Sequence, residues 1–299
     1  LTLSSHIFFL LCFGLIFWYF VYSSFQNWKI QQKFFFYTLF LLSPVLFIRL
    51  GYDIGRMDLI CLNLSLLTLI FIQGSSFSYL FKGVILSFST SIQLLIHEAS
   101  LLLFIPILFS IYIYKHSNLD NFKLKKLIPI FFVPLLIGFM LLKFGRYHMG
   151  VDELNSYLLN ISQELETSMN MELIYTLKQN FDQGFSLLTF KSILGGSYLI
   201  TTYYFFILFI LFKFVRMPIF IKLSVFSPLL LSFIAMDHTR FAAASTVCAN
   251  LVFIFSAKES KLNCPRKFKF VTYIFILFIF FLGPWGIGSY DPLPLIKHY

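Results

Sequence analysis

Apolar stretches separated by short polar connections run along the chain at roughly 3–24, 34–49, 58–73, 83–97, 100–114, 127–143, 193–213, 222–236, 241–256 and 270–285. A helix rises about 1.5 Å per residue, so stretches of roughly 15–22 residues approach or match a hydrocarbon core of about 30 Å. None of them alternates apolar and polar residues with period two, as the strands of a membrane barrel would. The pattern predicts an all-α fold: a polytopic transmembrane helical bundle of about ten spans, forming one domain over 1–299. The connection 144–192 is much longer than the rest. Within it Leu154, Tyr157, Leu158, Ile161 and Leu165 recur at helical spacing, and Met171, Ile174, Leu177 and Phe181 repeat the pattern. Two amphipathic helices lying on the outer leaflet are expected there, as a cap on the bundle or a lid over a site.

Composition narrows the class. Apolar residues make up 59% of the chain and charged residues 12%, too few for the surface of a soluble domain of this length. The chain opens on Leu1 rather than Met, and 3–24 is too long and too aromatic for a cleaved signal peptide. A real first span is therefore expected, with a further portion upstream. Cys12, Cys61 and Cys248 fall in spans and Cys264 in a basic connection, so cysteine spacing predicts neither a disulfide framework nor a metal site.

The net charge of +10 is distributed by side. The connections 25–33, 74–82, 115–126, 213–222 and 257–269 hold 15 of the 23 basic residues and only Asp120 and Glu259 of the 13 acidic ones. Lysine and arginine are retained on the cytoplasmic side during insertion, so this set is expected inside and the complementary set outside. Ten spans keep every basic connection on one side. Charge in such loops reads as topology signal and anionic-lipid contact, not as a nucleic-acid surface.

Ionisable residues that are not inner anchors gather in the outer connections. Arg49, Asp53, Arg56 and Asp58 share one hairpin, where Gly51 and Gly55 let the chain turn and let backbone amides approach a ligand. His97 and Glu98 are adjacent between two spans, a base beside its partner, without the second histidine of a zinc-protease motif. Asp237, His238 and Arg240 meet in a short turn, followed by small residues that favour close helix packing. Arg146, with His148, Asp152 and Glu153, forms a looser group at the mouth of the long connection. Each cluster also fits helix-end capping or an internal ion pair. Their joint position predicts one polar, outward-facing pocket.

Arginine presents a planar fork of donors to phosphate, and a carboxylate or imidazole beside it can take a proton from an attacking hydroxyl. Such a pocket suits a donor whose lipid tail stays in the bilayer while its diphosphate lies at the surface. The segments Gly-Tyr-Asp53-Ile-Gly-Arg56, His97-Glu98 followed by Ile105-Pro106, and Asp237-His238-Thr239-Arg240 resemble those of bacterial polysaccharide-cluster membrane proteins. These are the exopolysaccharide and O-antigen polymerases and the wider GT-C-like glycosyltransferases. The acidic residue expected in the first outer loop of many GT-C enzymes is not identified in this chain; either it lies upstream of Leu1 or that branch of the resemblance fails.

The resemblance implies a bacterial inner-membrane glycosyltransferase. Its donor would be a polyprenyl-(di)phosphate-linked sugar and its acceptor a saccharide hydroxyl, with no nucleic-acid partner and no cofactor or metal. Asp53, Glu98 or Asp237 would act as base, with His97 or His238 in its place, and Arg49, Arg56, Arg146 and Arg240 would hold phosphate. A flippase for lipid-linked oligosaccharide and a membrane acyltransferase are the rival readings.

Overall fold

The computed structural model describes residues 3–30, 33, 34, 37, 57–74, 76–117, 128–144, 153, 156, 157, 159, 160, 163, 208, 209, 212, 213, 215–233 and 238–259. In chain order the helices are α1 (Leu3–Ser24), α2 (Asp58–Gln73), α3 (Tyr79–Ile96), α4 (Ser100–Leu103), α5 (Ile105–His116), α6 (Ile128–Phe144) and α7 (Ile219–Ser224). A 3-10 helix (Ser227–Phe233) and α8 (His238–Lys258) follow. No strand occurs among the described residues. Two of these helices, over Ser4–Ser24 and Tyr79–Ile96, are long and apolar enough to cross a membrane; Asp58–Gln73, Ile128–Leu141 and Ala244–Lys258 are apolar but shorter. The stretches 34–49, 193–213 and 270–285 fall largely or wholly outside the described residues, as does most of 144–192.

Polar side chains are buried and large apolar ones exposed on the same helices. On α3 the exposed residues include Leu80, Phe81, Val84, Phe88 and Leu95, while Lys82, Ser89, Thr90, Ser91 and Gln93 are buried. On α2, Leu67 and Phe71 are exposed while Asp58, Asn63, Ser65, Thr68 and Gln73 are buried. A helix in water hides its apolar stripe, whereas a helix in lipid turns apolar residues outward and its polar groups toward neighbours.

Those buried polar groups lock α2 against α3. Asp58, Cys61, Ser65 and Thr68 recur at helical spacing along one face of α2, opposite Ser89, Gln93 and His97 of the antiparallel α3. The Thr68 and Ser89 hydroxyls are 2.7 Å apart, Ser65 Oγ lies 3.1 Å from Gln93 Oε1, and Gln93 Nε2 donates to Ser89 Oγ at 3.3 Å. Ser78 caps the start of α3, its hydroxyl accepting from Phe81 N. Asn63 Nδ2 donates to Phe9 O of α1 at 3.1 Å, which joins a third helix to the pair. Interhelical bonds of this kind contribute about 0.6–2 kcal/mol each in a bilayer.

The expected spans 100–114 and 222–236 are each interrupted. The first breaks at Phe104, between α4 and α5, because Pro106 lacks the N–H that would reach Leu102 O. The second breaks between α7 and the 3-10 helix, beside Pro228. The second break helps to repair the first, and α8 contributes at both. Ser227 Oγ lies 2.8 Å from both Leu102 O and Ser224 O, Cys248 Sγ lies 3.1 Å from Leu103 O, and Ser245 Oγ donates to Val225 O at 2.6 Å. Hydroxyl and thiol groups thus take the place of lost backbone donors at the breaks.

The helices share two ends. Tyr112 Oη of α5 donates to Tyr79 O at the start of α3, and Lys115 at the end of α5 pairs with Glu259 just beyond α8. One end of the bundle therefore carries Lys82, Lys115, His116, Lys258 and Glu259. The other carries the start of α2, the end of α3 and the start of α8.

Candidate functional site

At that second end Asp58, His97 and Glu98 come together. Asp58 is the first residue of α2, where the helix dipole favours a carboxylate, and it is 4% exposed. His97 caps α3 in an extended conformation, with φ −156° and ψ 112°, and its N–H donates to Gln93 O at 2.9 Å. The turn then closes through Ser100 N to His97 O and Leu101 N to Glu98 O, at 3.0 and 3.1 Å. This backbone fixes the imidazole between two carboxylates. His97 Nε2 lies 3.4 Å from Asp58 Oδ1, and His97 Nδ1 lies 3.5 Å from Glu98 Oε2.

The two carboxylates differ in environment. The Asp58 side chain is 5% exposed and that of Glu98 82%, with His97 between them at 23%. A buried carboxylate is costly unless it is paired, so Asp58 gains from a partner that can bear positive charge. Glu98 meets water. The arrangement is a carboxylate–imidazole–carboxylate row leading from the interior to the surface. In its neutral form, with the proton on Nε2 toward Asp58, the imidazole can take a proton at Nδ1, the nitrogen that faces Glu98. Ser100, one turn on, has a buried hydroxyl with no hydrogen-bond partner among the described residues.

The other sequence-predicted residues divide by what the structure describes. His238 and Arg240 lie in the first turn of α8, at the same end of the bundle as His97. Their side chains, and all of Arg49, Asp53, Arg56, Arg146 and Asp237, lie outside the described residues. Asp58, noted in the sequence only as a member of the first hairpin, is the carboxylate that faces His97. Its signal was the polar stripe along α2, which Asp58 begins. Among the described residues no three His, Cys, Asp or Glu side chains are grouped so that they could hold a metal.

Below His97 an apolar groove of about 510 Å³ lies between α3 and α6, walled by Val84, Phe88 and Leu95 on one side and Val133 and Ile137 on the other. It follows α3 toward the site. No known protein family, curated protein or solved structure matches this chain.

Proposed function

We propose that the chain is a multi-pass membrane protein of about ten spans that transfers a sugar or oligosaccharide from a polyprenyl-(di)phosphate carrier to an acceptor hydroxyl at the outer face. The observation that carries this reading is the Asp58–His97–Glu98 row, set at the end of the bundle opposite the lysines. The positive-inside rule assigns the lysine end to the cytoplasm, which turns His97 outward. There His97, oriented by Asp58, would remove the acceptor proton as the hydroxyl attacks the anomeric carbon. The carrier phosphate leaves with the bonding pair, and its growing negative charge would meet Arg240 and the arginines of the first hairpin. The groove between α3 and α6 supports the lipid part of the proposal, since an isoprenoid chain in the bilayer would lie along it toward the site.

The test is production of long polysaccharide in a bacterial host whose own polymerase is deleted. Asp58→Asn and His97→Gln should each abolish long product while the protein still accumulates in the membrane. Normal product length in both variants would refute the role of the row. Glu98→Cys should react with a membrane-impermeant maleimide from outside intact cells; reaction only after lysis would reverse the topology.

A second reading rests on the paired helix breaks. Transporters place interrupted helices around a central substrate site, and a flippase for lipid-linked oligosaccharide would do so. Here Ser227, Ser245 and Cys248 occupy carbonyls at the breaks, which favours a structural joint over an open binding site. A flippase would restore surface delivery of the lipid-linked unit in a flippase-deleted host, whereas the transferase would not.

A further inference from the structure

We propose that the lysine-rich end of the bundle is a binding site for a phosphate-type dianion, formed by Lys82 of α3, Lys115 and His116 of α5 and Lys258 of α8. It is separate from the His97 site and does not depend on the sugar-transfer reading.

Lysines that only anchor a span reach into water. Lys82 does not, at 4% exposure. It donates to Gly74 O, which uses one of three N–H groups. Lys115 pairs with Glu259. Lys258 stands within the field of both Lys115 and Glu259, and burial lowers its pKa, yet it forms no ion pair among the described residues. Among the described residues, three ammonium groups and one carboxylate stand at this end, an excess of two positive charges in a partly desolvated place. Among the described residues the other titratable groups around them are Tyr79 of α3 and Tyr112 and Tyr114 of α5, whose phenols add no negative charge at neutral pH.

His116 supplies an independent observation. It is 5% exposed, packed on the Tyr112 ring at 4.8 Å between centroids, and its Nε2 has no hydrogen-bond partner among the described residues. A buried polar nitrogen left so costs about 1–3 kcal/mol. Burial, with Lys82 and Lys115, holds its pKa down to about 4, so it is neutral at pH 7. In its Nε2–H tautomer it can still donate. A dianion with several acceptor oxygens balances the excess charge and takes this donor together with the free N–H groups of Lys82 and Lys258. A carboxylate would leave one charge over. The phosphate can belong to a lipid headgroup of the adjoining leaflet or to a soluble phosphomonoester.

The experiment uses the full chain in phosphatidylcholine nanodiscs. Inorganic phosphate is titrated by calorimetry, and in parallel nanodiscs containing phosphatidic acid are examined by native mass spectrometry for retained lipid. Phosphate binding identifies a soluble ligand, and retention of phosphatidic acid alone identifies a headgroup; either supports the site. Lys258→Gln and His116→Phe should weaken the interaction at least tenfold, about 1.4 kcal/mol. Lys222→Gln, which removes a lysine of another basic connection, should leave it unchanged. The site is refuted if neither probe binds, or if Lys222→Gln weakens binding as much as Lys258→Gln, since diffuse attraction would then suffice.

Discussion

Gly83→Ala gives the sharpest test of how α3, α5 and α6 meet. A methyl group at this position would stand 2.3 Å from Ile130 Cδ1, 3.1 Å from Ile130 Cγ1 and 2.7 Å from Tyr112 Oη. The Ile130 terminus can rotate away, but Cγ1 stays too close without a shift of α6. Tyr112 Oη is tethered by its 2.8 Å bond to Tyr79 O, and its ring stands edge-on to His116. Overpacking of this kind costs about 1–3 kcal/mol, and weakening the tyrosine bond adds about 1 kcal/mol. Replacing glycine inside a helix returns roughly 1 kcal/mol. The balance is a loss of about 1–3 kcal/mol, read as a lower denaturation midpoint in detergent micelles. Ile130→Ala removes the nearest clashing atoms, so the double variant should recover part of that loss, with a coupling of about 0.5–3 kcal/mol between the sites. Helix propensity alone predicts the opposite sign. A stabilised Gly83→Ala protein, or additive behaviour in the double variant, would refute the close approach of these helices.

Three further outcomes are expected. Ser227→Ala should lower stability by about 1–3 kcal/mol through exposure of the Leu102 carbonyl, and Pro106→Ala should reduce that penalty by restoring a backbone donor to it; equal penalties in both backgrounds, by the same midpoint assay, would contradict the repair. His116, beyond the apolar stretch 100–114, has a folded pKa of about 4 against 6.5 when unfolded, so the unfolded chain binds more protons between those values. Stability should therefore fall as pH drops from 6.5 toward 4, and His116→Phe should remove that part of the pH profile. Ser87→Trp, which fills the groove between α3 and α6, should cut polysaccharide yield several-fold while leaving the midpoint within about 0.5 kcal/mol of wild type; unchanged yield would take the lipid chain out of that groove.

Helix positions were legible where a stretch is uniformly apolar with polar ends, because length and hydropathy alone define such an element. The stretches 3–24 and 58–73 coincide with α1 and α2. The interruptions at Phe104 and beside Pro228 were not legible. Proline is visible in a sequence, but whether a helix bends through it or breaks depends on a partner for the freed carbonyl, and Ser227 lies 125 positions from Leu102. His97 and Glu98 stood out as adjacent ionisable residues. Asp58 entered only as a member of the charged first hairpin, because the sequence does not show that the antiparallel return of α3 brings His97 to it. Charge sorting put the connections of Lys82, Lys115 and Lys258 in one set, and these three stand at one end of the bundle. It could not show that Lys82 is buried with its ammonium on Gly74 O, because that depends on helix rotation.

The two charged ends are held in relation by the α2–α3 seam. A layer of hydroxyl and amide pairs is weaker per contact than its number suggests, since each group also finds partners when the helices separate in lipid. Its value lies in register. Ser65 meets Gln93 and Thr68 meets Ser89 only when the helices stand at one offset, and a slide by one turn, about 5.4 Å, leaves both pairs unmade. That same offset sets Asp58 within 3.4 Å of His97. An apolar seam of leucines would tolerate sliding and let the imidazole drift from its carboxylate. The polar seam thus trades some association energy for a fixed distance between the two groups on which the proposed chemistry depends.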